Sequence, residues 1–283
     1  MSRAHLERSL ERALDLLQCP ACEQGPLAMA SDGAAGDMAV RCNGCTRSFP
    51  YRAGILDMLG GGEQRLTLAQ RSLQGGTLAR AYAWTRDPMA LLVAGYTFRR
   101  EVQQMEEVLG LQAGDTVIDV ACGHGNFTAA ITRRVAPGLV LGVDISRPML
   151  EQAASRMQRD GLQNVVLIRG DVHNLPFGSD SIAKINCSGG FCQFPDLGTA
   201  IENIHRVLSP GGRFSGSCFA RSRGRLDQRV QELIQSSIDM RFIDLVALGG
   251  QMSAAGFAAY GSARARWFGY FNARKTEIRE EVV

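Results

Sequence analysis

A short apolar run that stops on two closely spaced glycines leaves a chain few choices, and Val117 to Phe127 is such a stretch. Val117, Ile118 and Val120 carry the pattern of a strand buried on both faces, whereas Gly123 and Gly125 permit positive φ and close backbone approach. A helix start at Asn126-Phe127 follows at once, so the segment reads as strand, nucleotide-type loop, helix. A second strand, Leu139 to Val143, ends on Asp144, 25 residues after Asp119, where an acid can accept from both hydroxyls of a ribose. The implied architecture is α/β, a Rossmann-like sheet with helices on both faces.

The loop separates two cofactor classes. A pyrophosphate is served by a third glycine in the GxGxxG pattern, which lets backbone and helix N-terminus close on it. Thr128 occupies that position here, behind the bulky Phe127. A third strand, Val165 to Ile168, runs into Arg169-Gly170-Asp171-Val172, where an acid suits an exocyclic adenine amine. Arg206 to Phe214 reads as a helix end, a Pro-Gly-Gly turn and a fifth strand.

These ordered features resemble the class I S-adenosylmethionine-dependent methyltransferases, in the branch of small-molecule and quinone methyltransferases, over roughly residues 100 to 275. The resemblance implies that Asp119, Ala121, Gly123 and Gly125 cradle the methionine end of the cofactor. It likewise implies that Asp144 and Ile145 hold the ribose, that Asp171 and Val172 meet the adenine, and that Cys187 closes the site from the fourth strand. The chain departs from the family pattern at that strand. Ala183 stands where related enzymes often have an acid, and Ser188 to Gln193 replaces a histidine-rich stretch before Phe194-Pro195-Asp196. The Asn/Asp-Pro-Pro-Tyr/Phe tetrapeptide of many amino-directed enzymes is missing as well. No catalytic residue is therefore inherited. His124 in the glycine loop and His173 after the third strand are the candidate bases nearest the expected cofactor.

The N-terminal part carries different chemistry. Cys19-Pro20-Ala21-Cys22 and Cys42-Asn43-Gly44-Cys45 are two CxxC knuckles separated by nineteen residues, a spacing that suits a tetrahedral zinc site with Cys19, Cys22, Cys42 and Cys45 as ligands. A disulfide reading requires an oxidising compartment, and the N-terminus lacks an apolar signal core, so a cytoplasmic protein with reduced thiols is expected. Cys122, Cys192 and Cys218 read as buried structural thiols, a reading that Cys187 also fits. Leu16-Leu17-Gln18 before the knuckles and Arg47 to Leu56 after them resemble the zinc ribbon of Trm112-like methyltransferase partners and of some rRNA guanine methyltransferases. About forty residues bury little core, so metal should supply much of the ribbon's folding energy.

Residues 1–59 are thus expected to form a leading amphipathic helix and the ribbon. Residues 60–100 are a linker, opening on Gly60-Gly61-Gly62, and a helical cover whose Tyr82, Trp84, Tyr96 and Phe98 are candidates for the acceptor pocket. Residues 101–283 are the methyltransferase domain. Residues 1–58 hold six arginines, seven acids and no lysine, so the ribbon lacks the basic footprint of a nucleic-acid reader. Arginines gather later, at 221, 223, 225 and 229, as a solvated helix flank or an anion site. The favoured expectation is C- or O-methylation of a small molecule without membrane insertion. The alternatives are an rRNA or tRNA base methyltransferase, a non-methylating partner module or cyclase, and, more remotely, an NAD-dependent oxidoreductase. The acceptor and the oligomeric state are not legible in the residues.

Overall fold

The computed structural model describes residues 3–32, 37–59, 97–238 and 240–277. The linker glycines and Tyr82, Trp84 and Tyr96 of the expected cover lie outside the described residues. In chain order the elements are α1 (Arg3–Leu14), β1 (Leu27–Asp32), β2 (Asp37–Cys42), β3 (Ser48–Arg52), β4 (Ile55–Asp57), α2 (Phe98–Leu109), β5 (Thr116–Val120), α3 (Asn126–Val135), β6 (Leu139–Asp144) and α4 (Arg147–Arg159). They continue with β7 (Val165–Arg169), β8 (Ile182–Ser188), a 3₁₀ turn (Phe191–Gln193), α5 (Leu197–Val207), β9 (Leu208–Phe219), α6 (Arg225–Ile238), α7 (Leu245–Ala254), β10 (Phe257–Ala265) and β11 (Phe268–Lys275).

The eleven strands among the described residues join one sheet in the order β1-β2-β3-β4-β7-β6-β5-β8-β9-β11-β10. The middle of the sheet, β4-β7-β6-β5-β8-β9, is parallel. Its strands are the Val/Ile/Leu runs legible in the sequence, because a parallel strand is covered on both faces. Alternate side chains sort into two cores. Val117, Val140, Val165 and Leu167 pack with Met105, Ile131 and Leu150 from α2, α3 and α4. Ile118, Leu141, Val166 and Ile168 pack on the other face with Leu10, Ile201, Ile204 and Leu248 from α1, α5 and α7. Strand order reverses at β5, which has β6 on one side and β8 on the other, and the crevice at the carboxyl ends of such strands is where open α/β sheets receive ligands.

The ribbon is continuous with this sheet. Its four strands pair antiparallel in sequence, and β4 then pairs parallel with β7 through Ile55↔Leu167, Leu56↔Ile168 and Asp57↔Arg169. Alternation carries across the junction, since Ile55 joins the first core and Leu56 the second. The boundary expected at residue 59 therefore separates stretches of sequence that share both a sheet and a core. Phe177, fully buried, packs in the same core as Leu27, Val40 and Phe49 of the ribbon, and its backbone bridges Leu17. Helix α1 is tied down by Ser9 Oγ donating to the Gln163 carbonyl at 2.7 Å and Arg12 donating to the Pro137 carbonyl at 3.1 Å.

Truncating Phe177 to alanine should destabilise the protein by about 3–5 kcal/mol, as expected for a large buried aromatic. Urea unfolding checks this, and a loss under about 1 kcal/mol would mean that ribbon and sheet do not depend on this contact.

Candidate functional site

The site is organised around Asp144, at the carboxyl end of β6. Its Oδ2 accepts from the Gly123 N–H and its Oδ1 from the Ser146 N–H, both at 2.8 Å. One carboxylate thus ties the glycine loop to the start of α4. The loop turns left-handed at Ala121 (φ 54°), Gly123 (φ 55°) and Gly125 (φ 79°). A side chain at Gly125 would stand 2.9 Å from Met157 and 3.0 Å from Ala153, so this glycine admits close packing of α3 on α4. At Gly123 nothing lies within 4 Å of a would-be Cβ, which leaves its backbone open toward the cavity.

That cavity is lined by Ala121, Gly123, Asp144, Ile145, Asp171 and Val172, which brings six of the nine sequence-derived cofactor residues together. The other three stand behind the wall. Asp119 is 1% exposed, with Oδ2 accepting from the Thr128 hydroxyl at 2.6 Å and Oδ1 from the Asn186 amide at 2.7 Å. Burial raises its pKa to about 6 against those hydrogen bonds, and burial likewise raises Asp144. Cys187 is fully buried, and burial pushes its thiol well up. Gly125 caps α3 instead of facing the cavity. The wall also includes Met149, Ser188, Gln193 and Phe194, which sequence reasoning did not single out as cofactor contacts. Their only signal was position beside β6 and β8, because a helix or loop residue declares its facing only once the fold is built.

Both histidine candidates line this cavity. His173 Nδ1 lies 2.6 Å from Asp171 Oδ1, and Nε2 lies 2.9 Å from the Asp196 carbonyl oxygen. Acceptors facing both ring nitrogens favour a proton on each, which makes the ring a poor acceptor of a further proton. Burial alone would lower its pKa, but the hydrogen bond and charge of Asp171, helped by Asp196, raise it on balance. The Asp171 carboxyl, which burial would raise, is in turn lowered by His173. His124 is 6% exposed within the glycine loop, and its carbonyl accepts from Arg156 at 3.2 Å.

A second cavity adjoins the first, with Phe127 and Ser188 in both walls. It lies between α2 and the face of β9, β11 and β10, where Ser217 pairs with Tyr270 and Ser215 with Asn272. Its lining is mixed, with Glu101, Gln104, Ser217 and Tyr270 beside Met105 and Phe271. Glu101 is 2% exposed and accepts from the Tyr270 hydroxyl at 3.4 Å, and the buried Ser217 Oγ has no partner among the described residues. Phe98, the one described member of the expected aromatic cover, stacks edge-on to Phe127 at 5.0 Å.

At the far edge, the sulfurs of Cys19, Cys22, Cys42 and Cys45 all lie within 4.8 Å of one another. Cys19 and Cys45 are 3.7 Å apart, and Cys22 and Cys42 are 3.6 Å apart. Four sulfurs at about 2.3 Å from a tetrahedral zinc stand about 3.8 Å from each other, so the set fits the metal. The first knuckle also touches the loop behind the cofactor cavity. Asn174 Nδ2 donates to the Pro20 carbonyl, and the Gln18 N–H donates to the Pro176 carbonyl, both at 2.9 Å. From β4, Asp57 accepts from Arg169 at 3.0 Å, and Arg169 Nε reaches the Ile145 carbonyl at 3.3 Å.

A crevice at the strand-order reversal, with a ribose-type acid clasped to a glycine loop, defines a nucleotide-cofactor enzyme of the α/β class. The methyltransferase-domain family matches residues 117–212. A demethylmenaquinone methyltransferase of Geobacillus stearothermophilus is 35% identical over 120 residues, 41% of this chain and 51% of the relative. One from Lactiplantibacillus plantarum is 31% identical over 176 residues, 62% of this chain and 71% of the relative. The chain therefore belongs to the class I S-adenosylmethionine-dependent methyltransferases. It spans about half the length of the first of these relatives. Among solved structures, Haemonchus contortus phosphoethanolamine N-methyltransferase 2 in complex with S-adenosyl-L-methionine shares the fold, with a TM-score of 0.64 at 15% identity over 82% of this chain and 62% of that one.

The raised pKa of His173 has a sign that can be checked. A histidine bound more tightly to its proton in the folded state stabilises fully below the unfolded value of 6.5, and that stabilisation is lost as pH rises through the raised folded value. In urea melts, His173→Gln should therefore cost more stability at pH 5.5 than at pH 8.5. Equal costs would contradict the imidazolium assignment.

Proposed function

We propose that the protein transfers a methyl group from S-adenosylmethionine to a small, quinone-like acceptor, at carbon or oxygen, with the donor in the first cavity and the acceptor in the second. The observation that carries this is the shared wall at Phe127 and Ser188, which sets a second space, lined by both polar and apolar side chains, beside the cofactor crevice. The demethylmenaquinone methyltransferase relatives support the acceptor class. S-adenosylmethionine, when bound, supplies a sulfonium methyl open to in-line displacement.

The chain's own residues then have separable tasks. The Asp144 carboxylate, preset by two backbone N–H groups, takes the ribose hydroxyls, and the free oxygen of Asp171 takes the adenine amine. The open backbone of Ala121 to Gly123 receives the methionine end, with the Asp119 charge behind it as an electrostatic complement to the sulfonium. Enclosure aligns the reacting atoms, and positioning of this kind can supply much of the acceleration. His173, both of whose nitrogens are engaged, orients Asp171 and takes no proton. Glu101 accepts the proton that a phenol or enolisable carbon releases, while Tyr270 and Ser217 orient the acceptor oxygen. The four cysteines hold a structural zinc, and residues 1–59 act as a ribbon that braces the cofactor loop.

Asp144→Ala should weaken binding of S-adenosylhomocysteine by about 1–3 kcal/mol in calorimetric titration, through lost charge-assisted hydrogen bonds. Unchanged affinity would overturn the ribose assignment. Glu101→Gln should lower kcat on a demethylated quinol by about 10²-fold or more while leaving S-adenosylhomocysteine affinity intact. A wild-type kcat in that variant would move the acceptor elsewhere. Stripping zinc from the full chain should weaken S-adenosylhomocysteine binding by about tenfold, since the braces from Pro20 and Gln18 would be lost, each worth roughly 1 kcal/mol. An equal affinity with and without metal would make the ribbon mechanically independent of the site.

A further inference from the structure

Helix α6 is inside out. The side it turns to the protein is amide: Gln231, 3% exposed, accepts from the Ser222 N–H at 2.8 Å and donates to the Ala220 carbonyl at 3.1 Å. Gln228 reinforces this by donating to the Ser222 carbonyl at 2.8 Å. The side it turns to solvent is aliphatic, with Leu226 at 79%, Val230 at 47% and Leu233 at 69% exposure. These three recur at i, i+4 and i+7, one stripe of an α-helix, on the face opposite Gln231. Val246, 81% exposed at the start of α7, adds a fourth aliphatic side chain at the same end of the sheet, where Ala220 bridges Ile243.

The charge around the stripe is net positive, with Arg221, Arg223, Arg225 and Arg229 against Asp227 and Glu232. Arg225 and Arg229 adjoin it on the helix, and Arg223 precedes it. Arg221 approaches Glu232 at 4.0 Å, and Asp227 is engaged by the Ser222 hydroxyl at 2.9 Å. Arg223, Arg225 and Arg229 form no ion pair among the described residues. A second copy docking stripe to stripe would bring three such arginines against three. Residues 60–96 hold four arginines against two acids, so their charge does not complement the stripe either. An aliphatic stripe with a cationic margin matches a surface that is apolar below and anionic above, as a helix lying in a lipid interface requires. No helix among the described residues is long and apolar enough to cross a membrane, so the contact is one of surface seating.

We propose that α6 seats this protein on an anionic lipid surface, with Leu226, Val230 and Leu233 entering the acyl boundary and Arg223, Arg225 and Arg229 reaching the head-group phosphates. The helix follows the carboxyl end of β9, the end of the sheet that carries both cavities, so seating turns the site toward the bilayer. The seating is a property of α6 and stands independently of whether methyl transfer occurs.

The test is co-sedimentation of the full protein with vesicles of phosphatidylcholine, with and without phosphatidylglycerol. Binding to the anionic vesicles is expected, weakened about tenfold or more by raising salt from 0.1 to 0.5 M. The paired variants Leu226→Gln/Leu233→Gln and Arg225→Gln/Arg229→Gln should each reduce it comparably, with S-adenosylhomocysteine affinity and melting temperature unchanged, as expected for exposed positions. Failure to bind anionic vesicles at low salt overturns the proposal. So does equal binding by wild type and both variants. A dimer in light scattering that Leu226→Gln/Leu233→Gln dissolves would assign the stripe to a second copy, and weak hydroxyl-radical labelling of the Leu226 and Leu233 side chains without vesicles would assign it to another part of this chain. Either result also overturns the lipid assignment.

Discussion

The two hydrogen bonds received by Asp144 hold the rest of the site in register. A carboxylate buried at a strand end is costly unless it is satisfied, and here the Gly123 and Ser146 N–H groups satisfy it from two different elements. The same pair of contacts fixes the distance from the glycine loop to the α4 N-terminus, and so the width of the crevice between them. Asp119 extends the arrangement inward, joining α3 through Thr128 and β8 through Asn186. Two acids, one facing the cavity and one behind it, thereby couple three strands and two helices around the crevice.

The ribbon enters this arrangement from the side. Its cysteine cluster is built from two tight knuckles, and its last strand supplies Ile55 to one core and Leu56 to the other. Strand β7 thus gains β4 as its second neighbour, opposite β6. Arg169 sits at the junction, shared between Asp57 of the ribbon and the Ile145 carbonyl beside Asp144. Mechanical contact between the cysteine cluster and the crevice runs through that residue and through the Pro20–Asn174 hydrogen bond.

Much of this was legible in the residues, for identifiable reasons. The central strands announced themselves because double burial demands unbroken Val/Ile/Leu runs, and the glycine loop because φ near +55° and +79° is readily reached only without a side chain. Knuckle spacing revealed the cysteine cluster, since two sulfurs per turn need only local geometry. Joining of ribbon to sheet was not legible: β4 is three residues long, and a three-residue strand carries no periodicity. The second cavity was equally hidden, because Ser217, Tyr270, Asn272 and Glu101 are brought together by strand register across more than 160 residues of chain. His173 looked like a base in one dimension and proved to be doubly engaged in three, as Asp196 approaches from a different loop.

Strand β7 would be the edge of the parallel sheet without β4 beside it. A naked parallel edge of the sequence Val-Val-Leu-Ile-Arg is flat, aliphatic and rich in unpaired N–H and C=O groups, the kind of template on which chains add to one another. The four-strand ribbon seals that edge, and an array of antiparallel strands with its cysteine cluster passes the exposed margin outward to β1. A chain whose ribbon came loose would show itself first as a problem of solubility, joining edge to edge with its neighbours before catalysis itself was lost.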